Sequence, residues 1–200
     1  MTFDSELTLS DGSVYEINSQ HKQGCYVEIL EKTHEQLQAM LSHHGKVLVM
    51  LSIFHVHHFT ETNELFSRFM RKLVKHLKKR YGFKRVGYLW VREHGLSDCQ
   101  HYHLALFLDG NKVRRSNEVF DMCVNIWEGW NQPRPAFPPK RCYYLLNRHD
   151  VNTYQKAFYH LSYLSKTRTK EHKPKATNDY STSRIQPKPA RGRDDAATNR

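Results

Sequence analysis

Two histidines flank a tyrosine at the head of an apolar run, His101-Tyr102-His103 followed by LALFL. Side chains alternate along a strand, so on a strand both imidazoles project to one face and Tyr102 to the other. Two imidazoles one strand step apart can hold a metal ion, or can be buried histidines with ordinary hydrogen bonds, and the fragment alone leaves both open. Glu93 closes the preceding run VGYLWVRE. In a hairpin whose loop lies at 94–100, Glu93 comes close to His101 across the ladder. A carboxylate with two imidazoles makes a three-ligand site with open positions, which is what metal-assisted catalysis needs. Mg²⁺ or Mn²⁺ suits phosphate chemistry, and the ligand set also admits Zn²⁺. His55-Val56-His57-His58 repeats the same spacing and could supply ligands, but without an accompanying carboxylate or tyrosine it reads rather as loop histidines at the end of a strand.

A second group of reactive residues lies in TYQKAFYHLSYLSKTRTK, residues 153–170. Wound as one α-helix at about 100° per residue, Tyr154, Ala157, Phe158, Leu161 and Ser165 form one face. Tyr159, Tyr163, Lys166 and Lys170 cluster on another. A phenol beside an ammonium group has the makings of a nucleophile, because positive charge stabilises the phenolate and nearby phosphate oxygens. A polar helix face with two amphipathic tyrosines would carry the same pattern.

These residues need a frame to position them, and the apolar periodicity supplies one. KVLVMLSIF (46–54) predicts a buried central strand. Asn63 to Tyr81 predicts the clearest helix: Leu65, Phe66, Phe69, Met70, Leu73, Val74 and Leu77 form its apolar stripe. Arg68, Arg71, Lys72, Lys75, Lys78 and Lys79 fall on its other side, and Gly82 stops it. Strands are expected at 86–92 and 102–108, a helix from Ser116 to about Glu128, a Pro-rich loop at 131–140 and a strand at 141–146. A last helix is expected over 153–166. Tyr26 to Ser42 has a weaker helical pattern, and the segment before Gly24 reads as polar and irregular. The fold class predicted is α+β in a single domain, a central, mostly antiparallel sheet flanked by helices.

Composition narrows the function classes. The 200 residues are 38% hydrophobic and 12% aromatic, enough for one core and too few for two. There is no apolar run of membrane-spanning length and no signal-peptide pattern at the start, so a cytoplasmic protein without membrane partners is expected. Cys25, Cys99, Cys123 and Cys142 form no C-x-x-C pair, and reduced thiols are expected. The net charge of +11 and the pI near 9.5 favour a polyanionic partner, above all nucleic acid. Ten Lys or Arg against four Asp or Glu lie between Lys166 and Arg200, in a composition that buries little. Residues 171–200 are therefore expected to form a basic flexible tail that touches phosphates without sequence preference or has no role at all.

Taken together, the paired histidines and the later tyrosine resemble the HUH endonuclease superfamily. His101-Tyr102-His103 matches its paired-histidine motif, and Tyr163-Leu164-Ser165-Lys166 matches the Y-x-x-K pattern of rolling-circle initiators. More closely, YLWVREHGLSDCQHYHLALFLDGN and AFYHLSYLSKTRTK resemble the inovirus replication-protein family with a YagK/YfjJ-type C-terminal domain. The resemblance covers about Gly45 to Lys170 and implies an HUH/Rep-like nicking domain of ferredoxin- or RRM-like topology there, preceded by a partly irregular segment, 1–44. It further implies a phage, prophage or mobile-element protein that nicks and rejoins single-stranded DNA or an origin hairpin. His101, His103 and Glu93 would bind Mg²⁺ or Mn²⁺, Tyr163 would be the nucleophile with Lys166 beside it, and Tyr159 would be a candidate second tyrosine. Ser162 departs from the two-tyrosine pattern, where lysine is common between the tyrosines, and this favours Tyr163 alone. No helicase motif is present, so a host helicase and polymerase are expected partners. A transposase, or a DNA-binding regulator of the same fold without catalysis, remains open; a relaxase would need a third histidine and an N-terminal tyrosine.

Overall fold

The computed structural model describes residues 1–19, 23–57, 59–94, 100–131, 136–167 and 178–189. Its centre is a five-stranded sheet in which every neighbouring pair is antiparallel. The strands are β3 (Lys46–His55), β4 (Gly87–His94), β5 (Gln100–Asp109), β6 (Tyr143–Asn147) and β7 (Tyr180–Thr182), in the order β6-β3-β5-β4-β7. A separate two-stranded sheet pairs β1 (Glu6–Thr8) with β2 (Val14–Glu16).

The run from β3 to β6 is a βαββαβ unit. Helix α2 (Glu64–Tyr81) carries the chain across from β3 to β4, which flank β5 and run parallel to one another. Helix α3 (Asn117–Asn131) leads from β5 to β6. Counted from β3, the strand order is 4-1-3-2, the ferredoxin-like arrangement.

Strand alternation gives the sheet two apolar faces, each with its own helices. Leu48, Met50, Phe54, Trp90, Tyr102, Leu104 and Leu106 face α2 and α3, meeting Phe66, Phe69, Leu73, Cys123 and Trp127. Val47, Val49, Leu51, Leu89, Val91, Ala105 and Phe107 face the other way. They pack on α1 (Val27–His43) and α4 (Val151–Leu161) through Leu30, Leu37, Met40, Ala157, Phe158 and Leu161. At Gly87 a Cβ would meet the Phe107 Cβ at 2.9 Å and the Met40 Cγ at 3.0 Å, so the absence of a side chain lets α1 approach the sheet. Gly82 ends α2 in the left-handed conformation, φ 61°, as its place after the helix predicts.

Three segments differ from the sequence-based expectation. The opening segment contains regular structure: β1 and β2 form a hairpin around Asp11 and Gly12, and Leu9 and Ile17 enter the second core. Asp-Gly between alternating residues is a hairpin signal, with Gly12 at φ 82°. The last helix does not run to Lys166; α4 stops at Leu161 and a 3-10 turn spans Ser162–Ser165. Residues 178–189, expected to belong to a flexible tail, include edge strand β7, whose register pairs Val91 with Tyr180 and Leu89 with Thr182. The rest of that expected tail, 171–177 and 190–200, lies outside the described residues. Cys25 and Cys123 are buried thiols, Cys142 is partly buried, and Cys99 is not among the described residues. Among the described residues, no helix is long and apolar enough to cross a membrane.

Candidate active site

The β4–β5 pairing brings the predicted ligands together. Glu93 is opposite His101 and Val91 opposite His103, so all three polar side chains share the face of the sheet that carries Val91 and Ala105. Glu93 Oε2 lies 3.3 Å from His101 Nε2 and 3.2 Å from His103 Nε2. Glu93 is 2% exposed, and a carboxylate at that depth needs positive or hydrogen-bonding partners to remain ionised.

The geometry fits one divalent ion. One ligand atom from each of Glu93, His101 and His103 lies within 4.8 Å of the others. Ligands about 2.1 Å from a shared ion are about 3.0–3.5 Å apart when adjacent in octahedral or tetrahedral geometry. The two carboxylate–imidazole distances fall in that range. Three protein ligands leave further coordination positions for substrate oxygen or water.

The opposite face of the same hairpin end is tied down by a polar network that the sequence reading did not include. Buried Arg92 donates from Nη2 to Gln100 Oε1 at 2.9 Å and to the Thr60 carbonyl, and from Nη1 to Asn63 Oδ1 at 3.3 Å. Gln100 Nε2 donates to the Tyr102 hydroxyl at 2.9 Å, which donates to Asn63 Oδ1 at 3.0 Å. The Tyr102 ring stacks on Phe66 at 4.2 Å and 6°. Burial lowers the pKa of Arg92 and raises that of Tyr102. Arg92, Gln100 and Tyr102 alternate with Glu93, His101 and His103, so the network holds the backbone that carries the ligands. Period-two alternation was the available signal, because polar residues flanking the ligands must face the other core.

Tyr163 arrives from the 3-10 turn. Its ring lies 5.8 Å from that of His103 at 62°, it is 40% exposed, and Lys166 Nζ stands 5.0 Å over it. The turn explains why Tyr163 and Tyr159 part company. In a continuous α-helix they would be about 40° apart, whereas two residues at about 120° each widen the angle to about 80°. Tyr159 faces a separate groove with Tyr144 and Lys156.

The N-terminal segment shapes this turn. Ser162, fully buried, donates to the Tyr159 carbonyl at 2.6 Å and accepts from Asn18 N at 2.7 Å. Tyr26 N donates to the Ser165 carbonyl at 2.8 Å, and Cys25 pairs with Lys166 in a β-bridge. The serine that departs from the two-tyrosine pattern is therefore a buried structural clamp. His55 also proves to be no loop residue. It ends β3 opposite His101 and stacks on that ring at 5.3 Å and 28°. His58 lies outside the described residues.

Fold and site together define an α+β domain with a carboxylate–imidazole cluster at one end of its sheet and a lysine-backed tyrosine against it. The chain belongs to the YagK/YfjJ C-terminal domain family, whose model matches residues 13–179. That span includes β2, α1 and the clamp residues. No curated protein and no solved structure compared with the chain matches it.

Proposed function

We propose that this protein is an HUH-type, metal-dependent nickase and strand transferase of a phage or mobile element, acting on single-stranded DNA in the cytoplasm in replication initiation. The observation that carries the reading is the convergence of three elements on one spot: Glu93, His101 and His103 within 4.8 Å of one another, and the Tyr163 ring 5.8 Å from the His103 ring.

Glu93, His101 and His103 would hold Mg²⁺ or Mn²⁺, and such an ion supplies Lewis-acid polarisation of a phosphate. Tyr163 is the nucleophile: its phenol oxygen attacks the scissile phosphorus, a phosphotyrosyl bond forms and the bond to the 3′ oxygen breaks. The phenol proton is lost on attack, and the departing oxygen gains one to become a free 3′-hydroxyl. Lys166, whose Nζ stands over the ring, would stabilise charge on the attacked phosphate. The phosphodiester energy stays in the tyrosyl bond, so the strand can be rejoined without a nucleotide cofactor. A host helicase would unwind the duplex and a host polymerase would extend the freed 3′ end.

The test is incubation with pooled single-stranded oligonucleotides and Mn²⁺, followed by denaturing gel and mass spectrometry. A covalent adduct is expected that disappears with chelator, with His103→Ala and with Tyr163→Phe. An adduct of equal yield in Tyr163→Phe removes Tyr163 from this role, and salt-sensitive binding with no adduct on origin DNA favours a binding protein instead.

A further inference from the structure

Tyr159 is 41% exposed and lines a groove of about 670 Å³ with Lys140, Arg141, Tyr144, Lys156 and His160. On the floor, the Tyr144 hydroxyl is 3.2 Å from His160 Nδ1, with the rings 5.9 Å apart at 78°. Burial, then the nearby Arg141, holds the His160 pKa below the usual histidine value, so this imidazole adds no charge near neutral pH. Lys140, Arg141 and Lys156 are exposed on the rim, and Glu16 is the one carboxylate among the described lining residues.

Aromatic faces interleaved with solvent-facing cations are the composition that holds unpaired nucleic acid. Bases stack on rings with little sequence preference, and cations follow the phosphates. A duplex keeps its bases stacked on each other and cannot offer them to Tyr144 and Tyr159. The groove is also joined to the tyrosine turn: Tyr159 lies four residues before Tyr163, about 6–7 Å along the axis. Ser162 binds the Tyr159 carbonyl, and its partner Asn18 lines the groove as well. Groove wall and tyrosine turn are therefore tied together by these hydrogen bonds.

We infer that this groove binds the single-stranded DNA next to the scissile phosphate, with bases on Tyr144 and Tyr159 and phosphates against Lys140, Arg141 and Lys156. The inference rests on the nicking reading for its location and gives Tyr159 the role of a strand platform in place of a second nucleophile.

The experiment is fluorescence anisotropy of the full chain with a labelled mixed-sequence single-stranded oligonucleotide, in chelator so that no cleavage intervenes. Tyr159→Leu and the double variant Lys140→Ala/Arg141→Ala should each bind about tenfold more weakly. The double variant should also lower the salt slope by about 1.4, and Tyr159→Phe should recover the affinity that Tyr159→Leu loses. Thermal melting checks that each variant is folded. Wild-type affinity in all groove variants overturns the groove, even if the adduct forms. Equal loss in Tyr159→Phe and Tyr159→Leu overturns stacking as its mode of binding. A wild-type protein that gives no adduct, while groove variants lose binding, removes the nicking reading and keeps the groove.

Discussion

Glu93 sits between two imidazoles at a depth where a lone carboxylate would be costly, so its identity matters more than its charge alone. Glu93→Gln keeps the shape and removes the charge. Mn²⁺ titration calorimetry should show affinity reduced about tenfold or more, and unchanged affinity would remove Glu93 from the ligand set. Tyr102 has a different task. It is 1% exposed, and its hydroxyl joins Gln100 to Asn63. Tyr102→Phe leaves buried polar groups short of partners, which should destabilise by about 2 kcal/mol. The melting temperature should drop by about 4–8 °C. No drop would mean that the network does not hold the hairpin end.

At the scale of elements, the 3-10 turn and the N-terminal hairpin each invite a test. Ser162→Ala removes the acceptor of Asn18 N and the donor to Tyr159, at a cost of about 1 kcal/mol. Because the clamp aims Tyr163, the rate of adduct formation should fall more than oligonucleotide affinity does; equal effects would make the clamp purely structural. In the hairpin, Asp11 accepts from the Ser13 hydroxyl and amide and pairs with His34 at 2.9 Å. Those bonds, chiefly from Ser13, lower the Asp11 pKa from 3.8 to about 2. A depressed carboxyl pKa stabilises the fold above the unfolded value and ceases to do so as pH falls through the folded one. Wild type should therefore lose stability between about pH 4 and pH 2 more steeply than Asp11→Asn, as read by melting temperature across that window. Parallel curves would show that Asp11 contributes nothing there.

For the whole molecule, six of the eleven net positive charges lie in residues 166–200, and exposed cations also stand on other surfaces among the described residues. The groove rim carries three exposed cations, and Arg71, Lys75, Lys78 and Lys79 are exposed along α2. Arg68 and Lys72 lie over Trp130 at 5.4 and 4.7 Å, which orders part of that helix face. Residues 190–200 hold three arginines against two aspartates, so truncation after residue 189 should change DNA affinity little. Truncation after residue 177 is a different matter. It removes β7, the acceptor of Arg92 N on Asp179 and the Ser183 bond to Gln36. It should lower the melting temperature by about 5 °C or more and expose the β4 edge to self-association. Equal melting temperatures for the two truncations would show that β7 adds no stability.

The sequence alone determined those parts of the protein that depend on near neighbours in the chain. Apolar periodicity located β3, α2, β4, β5, α3 and β6, because alternation and helical stripes are local consequences of which face meets the core. The pairing of Glu93 with His101 was readable for the same reason, since a hairpin sets its own register across a short loop. Only tertiary structure decided the rest. β7 has three residues and no apolar pattern; the free edge of β4 makes it a strand. His55 joins His101 because β3 lies beside β5, a pairing that no local pattern encodes. The turn that directs Tyr163 toward His103 and Tyr159 into the groove is clamped by Asn18, 144 residues away in the chain. Contacts over that distance follow from how two faces of one sheet are covered, and residue spacing carries no record of it.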